Sequence, residues 1–191
     1  AVPEYGKVET WASCSFGMYG GIIRGLAISP NFNKDGTIFA ATELAGLFKS
    51  DNGGQIWAEV IKTRGSNMVY SVAVSPNYAN DHTVFAGVRE SGVLISTDGG
   101  ETWQYPSPKI PDTYVYDLAV SPDYARDHTL FAATSSSGIF ISRDSGQTWK
   151  EANAGLDNLN ISDLELSPNF SNDHTIYLTN GVGVSRSTDG G

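Results

Sequence analysis

Sulfur and charge are scarce in this chain: 191 residues hold one cysteine, two methionines and 17% charged side chains. The lone Cys14 excludes an internal disulfide, a cystine framework and a multi-cysteine metal site. The charge that is present is mostly acidic, for a net of −9, and an acidic surface repels phosphate backbones. Nucleic acid is therefore not an expected partner. No run approaches the roughly 18 apolar residues that a membrane helix needs, so membrane insertion is not expected. No basic-then-apolar leader precedes Ala1, which fits a mature or trimmed N-terminus. Apolar residues recurring every 3.6 positions are also missing, so almost no helix is expected. What remains is 40% hydrophobic and 11% aromatic, a composition that folds and is long enough for a sizeable core.

The rarest residues fall on one ruler. Trp11, Trp57, Trp103 and Trp149 are each 46 residues apart. His82, His128 and His174 follow the same interval, as do the Ser-Pro pairs ending in Pro30, Pro76, Pro122 and Pro168. A fixed period in the range of about 20–50 residues marks stacked or ringed units.

One unit reads as four strands. Ser71–Val74 alternates apolar and small residues until Pro76, which cannot donate to a ladder. A polar loop, Asn77–His82, leads to Thr83–Val88, which is β-branched and aromatic. After the turn Arg89–Gly92 come Val93–Ser96, a tight turn, and Glu101–Tyr105 as the fourth strand. Such a sheet buries one face poorly alone, so copies must pack face to face. The expected fold is all-β: a β-propeller, or part of one, of about four antiparallel four-stranded blades. The array spans 1–191, with blades at 25–61, 71–106, 116–152 and 161–191, the last lacking its fourth strand.

The tight turn repeats as S-x-D-x-G-x-T-W. It is complete at Ser96, Asp98, Gly100 and Trp103, and again at Ser142, Asp144, Gly146 and Trp149. Ser50, Asn52, Gly54 and Trp57 form a variant with Ile56 in place of Thr, and Ser187, Asp189 and Gly191 are a first half. This resembles the Asp-box (BNR) repeat of sialidase-like and sortilin-like propellers. It is also similar to photosystem-assembly propellers and to xyloglucan-hydrolysing glycosidases. The resemblance implies a propeller whose boxes sit at the outer rim, away from any active site. The Asp accepts N–H groups inside its turn, the Gly takes positive φ, and the Trp wedges between blades. These box residues are thus expected to be structural.

A second signature, Ser-Pro-[Asn/Asp]-[Phe/Tyr]-x-x-Asp, places Asp35, Asp81, Asp127 and Asp173 as turn caps. Asn31–Gly36 resembles the start of a calcium loop but lacks the downstream bidentate Glu. The three histidines invite a metal reading, which repetition explains more simply. No metal and no cofactor are expected.

Glu43 is the one catalytic candidate. The resemblance to xyloglucan-hydrolysing enzymes places a catalytic Asp near this point of the first blade. The aligned residues of later units are Arg89 and Ser135, so Glu43 is not a repeated residue. A glycosidase needs two carboxylates across the scissile bond, and no second acid can be named. The sialidase arginine triad and Tyr–Glu pair cannot be placed either, and Arg24 does not match the Arg-Ile-Pro motif.

The two ends are complementary. Glu9-Thr10-Trp11 matches the second half of a box, and Ser187–Gly191 the first half. Either the chain is a fragment that continues, the preferred reading, or residues 8–13, with Thr10 and Trp11, complete a last blade in the same chain or a neighbour. The expected role is a non-catalytic, secreted or cell-surface (extracellular or periplasmic) scaffold. Its partners would be protein, glycan or copies of itself. The alternative is part of a glycoside hydrolase, xyloglucanase-like or sialidase-like. Asn160 and Asn169 open formal glycosylation sequons. A binding face is expected at 42–45, 89–91 and 135–137, and at the connectors 61–67 and 105–113.

Overall fold

Alternation of side chains along short, turn-bounded strands decides the architecture. The computed structural model describes residues 12–19, 21–62, 68–106, 109–111 and 114–191. Four antiparallel sheets follow one another along the chain. The first holds β1 (Ile23–Ile28), β2 (Ile38–Thr42), β3 (Gly46–Ser50) and β4 (Ala58–Ile61). The second holds β5 (Val69–Val74), β6 (Val84–Val88) and β7 (Gly92–Ser96). The third holds β8 (Val115–Val120), β9 (Leu130–Thr134), β10 (Ile139–Ser142) and β11 (Lys150–Glu151). The fourth holds β12 (Ile161–Leu166), β13 (Ile176–Asn180) and β14 (Gly183–Ser187).

Two sequence expectations need correction. Glu101–Tyr105 is not a full fourth strand: only Gln104 pairs, with Ile95. Its neighbours lie in the bends of the box turn, where Thr102 N–H is spent on Asp98. The loop after each Ser-Pro is also more ordered than expected. It winds into one helical turn: α1 (Phe32–Asp35), α2 (Tyr78–Asp81), α3 (Tyr124–Asp127) and α4 (Phe170–Asp173). Each turn ends in the left-handed region, at Gly36 (φ 62°) or at His82, His128 and His174 (φ 49–50°). His is one of the few side chains that tolerate that conformation, which gives the repeated histidines a backbone role. Among the described residues, no group of three or more His, Cys, Asp or Glu could hold a metal ion.

The core lies in the seams between successive sheets. Along β2, Phe39 and Ala41 face forward onto sheet two, while Ala40 faces back. The forward seam joins Phe39, Ala41 and Leu47 to Val72, Val84 and Leu94. Phe85 and Val93 meet Leu118, Leu130 and Phe140 in the same way. Phe131, Ala133 and Ile139 meet Leu164, Ile176 and Leu178. An aromatic pair locks each seam edge-to-face: Phe39–Tyr78 at 6.2 Å, and Phe85–Tyr124 and Phe131–Phe170 at 5.6 Å. Phe39, Phe85 and Phe131 are fully buried.

Among the described residues, no sheet covers the back of sheet one. A strap covers part of it instead. Met18 packs onto the cluster of Ala40, Phe48 and Trp57. Trp57 donates its ring N–H to Cys14 O (2.7 Å) and its backbone N–H to Phe16 O (3.0 Å). Thr10 and Trp11 lie outside the described residues.

Candidate functional site

Every first strand carries the same irregularity. The pairing of β1 with β2 shifts between Ile23 and Gly25, and the shift recurs at Val69/Ser71, Val115/Asp117 and Ile161/Asp163. A bulge of this kind re-aims one side chain out of the ladder. The residues so released are Arg24, Tyr70, Tyr116 and Ser162, one per unit. First strands of successive sheets lie side by side, so the four side chains converge on the surface that faces the propeller axis. With Tyr114 they line an open cavity of about 470 Å³.

The wall is aromatic. Tyr114 and Tyr116 stack at 5.8 Å with their planes 26° apart. Tyr70 meets both edge-on, at 5.2 and 5.7 Å. Arg24 lies over the Tyr70 ring at 5.8 Å, and Arg89 over Tyr114 at 5.4 Å. Burial, then the nearby Glu43 carboxylate, raises the Tyr70 phenol above its usual range, so it stays a neutral donor at neutral pH.

Glu43 belongs to this surface. Its backbone N–H bonds Ile22 O, as Arg89 bonds Met68 O and Ser135 bonds Tyr114 O. These three bonds place Glu43, Arg89 and Ser135 at equivalent points. The Glu43 carboxylate pairs with the Arg24 guanidinium, Nε to Oε2 at 2.9 Å. A carboxylate held by Arg has its charge balanced within the protein. Arg89 Nε lies 3.3 Å from Glu90 Oε1 but makes no aligned hydrogen bond.

Further carboxylates follow the bulges. Asp117 comes after Tyr116, and Asp163 after Ser162. Asp117 Oδ2 accepts the Leu164 N–H at 2.9 Å and so ties sheet three to sheet four. In the seam before it, Ser71, at the equivalent position, donates its hydroxyl to Val115 O at 3.1 Å. Burial pushes the Asp117 carboxyl up to about 6, against the pull of the Leu164 and Leu118 N–H groups, and Asp163 adds to the rise. This acid is committed to the seam.

The box residues lie apart from the cavity. Ser96 Oγ donates to Asp98 Oδ1 (2.7 Å) and accepts the Gly100 N–H (2.8 Å). Asp98 then accepts the Thr102 N–H (2.9 Å) and hydroxyl (2.5 Å). The Thr102 hydroxyl and N–H hold Asp98 down to about 2. Ser142, Asp144, Gly146 and Thr148 repeat the pattern. Ser50, Asn52 and Gly54 do so with Ile56 supplying only its N–H. Ser187 and Asp189 keep the first bond, and Gly191 donates to Ser187 Oγ at 3.0 Å. The loop acids are equally occupied: Asp35, Asp81, Asp127 and Asp173 each accept a Ser hydroxyl, at 2.6–2.7 Å, and the N–H of the Thr two residues on.

Sequence reasoning singled out Glu43 but missed the converging bulge residues. The signal was present as a position that breaks the repeat: Arg, Tyr, Tyr and Ser, each after a β-branched Ile or Val. The connectors expected to bind lie partly outside the described residues.

No family model matches the chain, and no curated protein matches it. Solved structures do. An ancestral GH74 enzyme aligns over 94% of this chain and 24% of its own, at 24% identity and a TM-score of 0.70. The GH74 xyloglucanase of Xanthomonas campestris aligns over 80% of this chain and 25% of its own, at 18% identity and a TM-score of 0.59. The extracellular domain of a putative hybrid two-component system from B. thetaiotaomicron aligns over 90% of this chain and 22% of its own, at 15% identity and a TM-score of 0.66. The chain thus spans about a quarter of the length of these proteins. No helix among the described residues is long and apolar enough to cross a membrane. Four successive antiparallel sheets packed face to face, and the likeness to these propellers, make the chain a partial β-propeller.

Proposed function

We propose that the chain is a non-catalytic, secreted or cell-surface propeller scaffold that binds a glycan across its axial tyrosine surface. The observation that carries this reading is the convergence of Tyr70, Tyr114 and Tyr116 beside the Arg24–Glu43 pair. Sugars present apolar C–H faces that pack on aromatic rings, and hydroxyls that suit paired charged groups. A concave site with aromatic walls and a few fixed polar groups suits such a ligand. The similar xyloglucanase and extracellular domain support a polysaccharide and an extracellular setting.

The second reading, part of a β-glucan hydrolase, rests on Glu43 lying at this surface. Its pairing with Arg24 suits a binding group better than an acid that must release a proton. The test is calorimetric titration with xyloglucan and cello-oligosaccharides, with reducing-sugar release measured in parallel. Binding without hydrolysis, weakened tenfold or more by Tyr70→Ala or Tyr116→Ala, supports the scaffold. Hydrolysis abolished by Glu43→Gln would replace it with the enzyme. Failure of both sugars to bind would end the glycan reading.

A further inference from the structure

Asparagine followed by glycine is a chemically fragile pair. The glycine nitrogen can lose its proton and attack the side-chain amide carbon, because no Cβ crowds the approach. Two such pairs occur here, Asn52-Gly53 and Asn180-Gly181. Their local structures give them opposite fates.

Asn52 is the more exposed of the two, yet its nucleophile is tied down. Gly53 donates its N–H to Gly36 O at 2.9 Å. That bond belongs to the box turn and recurs from Gly99 to His82, from Ser145 to His128 and from Gly190 to His174, at 2.9–3.1 Å. The Asn52 side-chain oxygen accepts the Ser50 hydroxyl and the Ile56 N–H, both at 2.9 Å. The Gly53 N–H must break its bond before it can react, which raises the barrier.

Asn180 ends β13 at the turn into β14. Gly181 is exposed, and among the described residues its N–H makes no hydrogen bond. Asn180 Oδ1 accepts the N–H of Val182 at 2.9 Å and that of Gly183 at 3.0 Å. These bonds fold the carboxamide forward along the turn, past Gly181. They also prepare the reaction. Attack on Cγ turns Oδ1 into an oxyanion, and two backbone N–H groups already point at it. Donors fixed where charge develops lower the barrier.

We infer that Asn180 is a site of spontaneous deamidation, assisted by its own turn. Gly181 N bonds to Asn180 Cγ, the Cγ–Nδ2 bond breaks, and ammonia leaves with the proton that Gly181 gave up to water. The product is a succinimide ring. One water molecule then opens it. Opening at Cγ gives aspartate, and opening at the backbone carbon gives isoaspartate, whose main chain runs through Cβ and Cγ and is one methylene longer. Either way a carboxylate replaces a neutral amide.

The position gives this reaction a consequence. Asn180 pairs with Gly183 and with Ile161, which is fully buried. The next residue, Ser162, lines the axial cavity and lies 3.0 Å from Thr179 Oγ1 through its own Oγ. A longer main chain at 180 disturbs both contacts and reshapes that wall of the cavity. The expected loss of glycan affinity rests on the glycan reading above; the modification itself does not.

Peptide mapping by mass spectrometry, on the 191-residue chain held in mildly alkaline buffer, tests this. In the folded chain Asn180 should lose its amide at least tenfold faster than Asn52, and no more slowly than it does in urea. In urea the two should react at similar rates, since both precede glycine. Electron-transfer fragmentation should find isoaspartate at position 180. Gly181→Ala, whose Cβ would meet only Asn158 Nδ2 at 3.6 Å, should keep the fold and slow the reaction tenfold or more. Equal rates at Asn52 and Asn180 in the folded chain, or a folded Asn180 that reacts more slowly than in urea, would overturn the inference. Unchanged glycan affinity in the isoaspartate form would overturn the link to the cavity, whereas absence of binding by the untreated chain would count against the glycan reading alone.

Discussion

At the seams, the position that reads Phe39 in the first unit reads Phe85 and Phe131 in the next two. At the axis, the position that reads Arg24 reads Tyr70, Tyr116 and Ser162. Both sets come from one repeating unit. Seam positions meet the same neighbour in each copy, so one solution serves them all. Axial positions share one common space, where four identical side chains would offer a ligand no distinguishable contacts. Repetition therefore marks packing in this molecule, and the axial surface lacks it.

Substitutions can break that comparison. Phe85→Ala removes a fully buried ring from the second seam. It should cost ~3–5 kcal/mol in urea unfolding, whereas Tyr70→Ala, at the half-buried axial wall, should cost less than about 1 kcal/mol. Similar losses from both would mean that the tyrosines are packing residues after all.

Asp117 sharpens the contrast, being next to an axial residue yet committed to a seam. Its folded value of about 6 lies above the unfolded 3.8, so the folded state binds the proton more tightly. Stability is then favoured at acid pH and falls as pH rises through the interval from 3.8 to about 6. At pH 7 Asp117→Asn should raise stability, because Asn still accepts the Leu164 N–H without a buried charge, and the gain should shrink at pH 4. Unfolding measured at pH 4 and pH 7 checks this. Equal effects at both would show that the carboxylate carries no burial cost.

The box turns differ among themselves. Ser96 is fully buried and serves both Asp98 and Gly100, while Ser187 makes the same bonds where water reaches them. Ser96→Ala should cost ~1–3 kcal/mol, and Ser187→Ala less, by thermal unfolding. The smallest effect on stability, and the most telling on function, is expected at Tyr116. Tyr116→Ala should leave the melting temperature within a few degrees and weaken glycan binding tenfold, which is ~1.4 kcal/mol.

Much of this was legible in the residues. The 46-residue interval of Trp57, Trp103 and Trp149 required equivalent units, and alternation at Thr83–Val88 required strands. The strand ends were less legible. Glu101–Tyr105 has strand-like residues, but Asp98 captures the Thr102 N–H and leaves only Gln104 to pair. The turn at Tyr78–Asp81 hid because a single helical turn is too short to show a period. Glu43 stood out as a residue that breaks the repeat, but its partner Arg24 was visible only as a motif that did not fit.

By itself, then, the sequence determined the unit, its strands and its box and loop turns, because these depend on contacts between residues near in the chain. The tertiary structure alone decided which side chains share the axial cavity. A one-residue bulge in each first strand turns Arg24, Tyr70, Tyr116 and Ser162 out of their ladders. Residues 46 apart meet there only because the sheets are packed side by side.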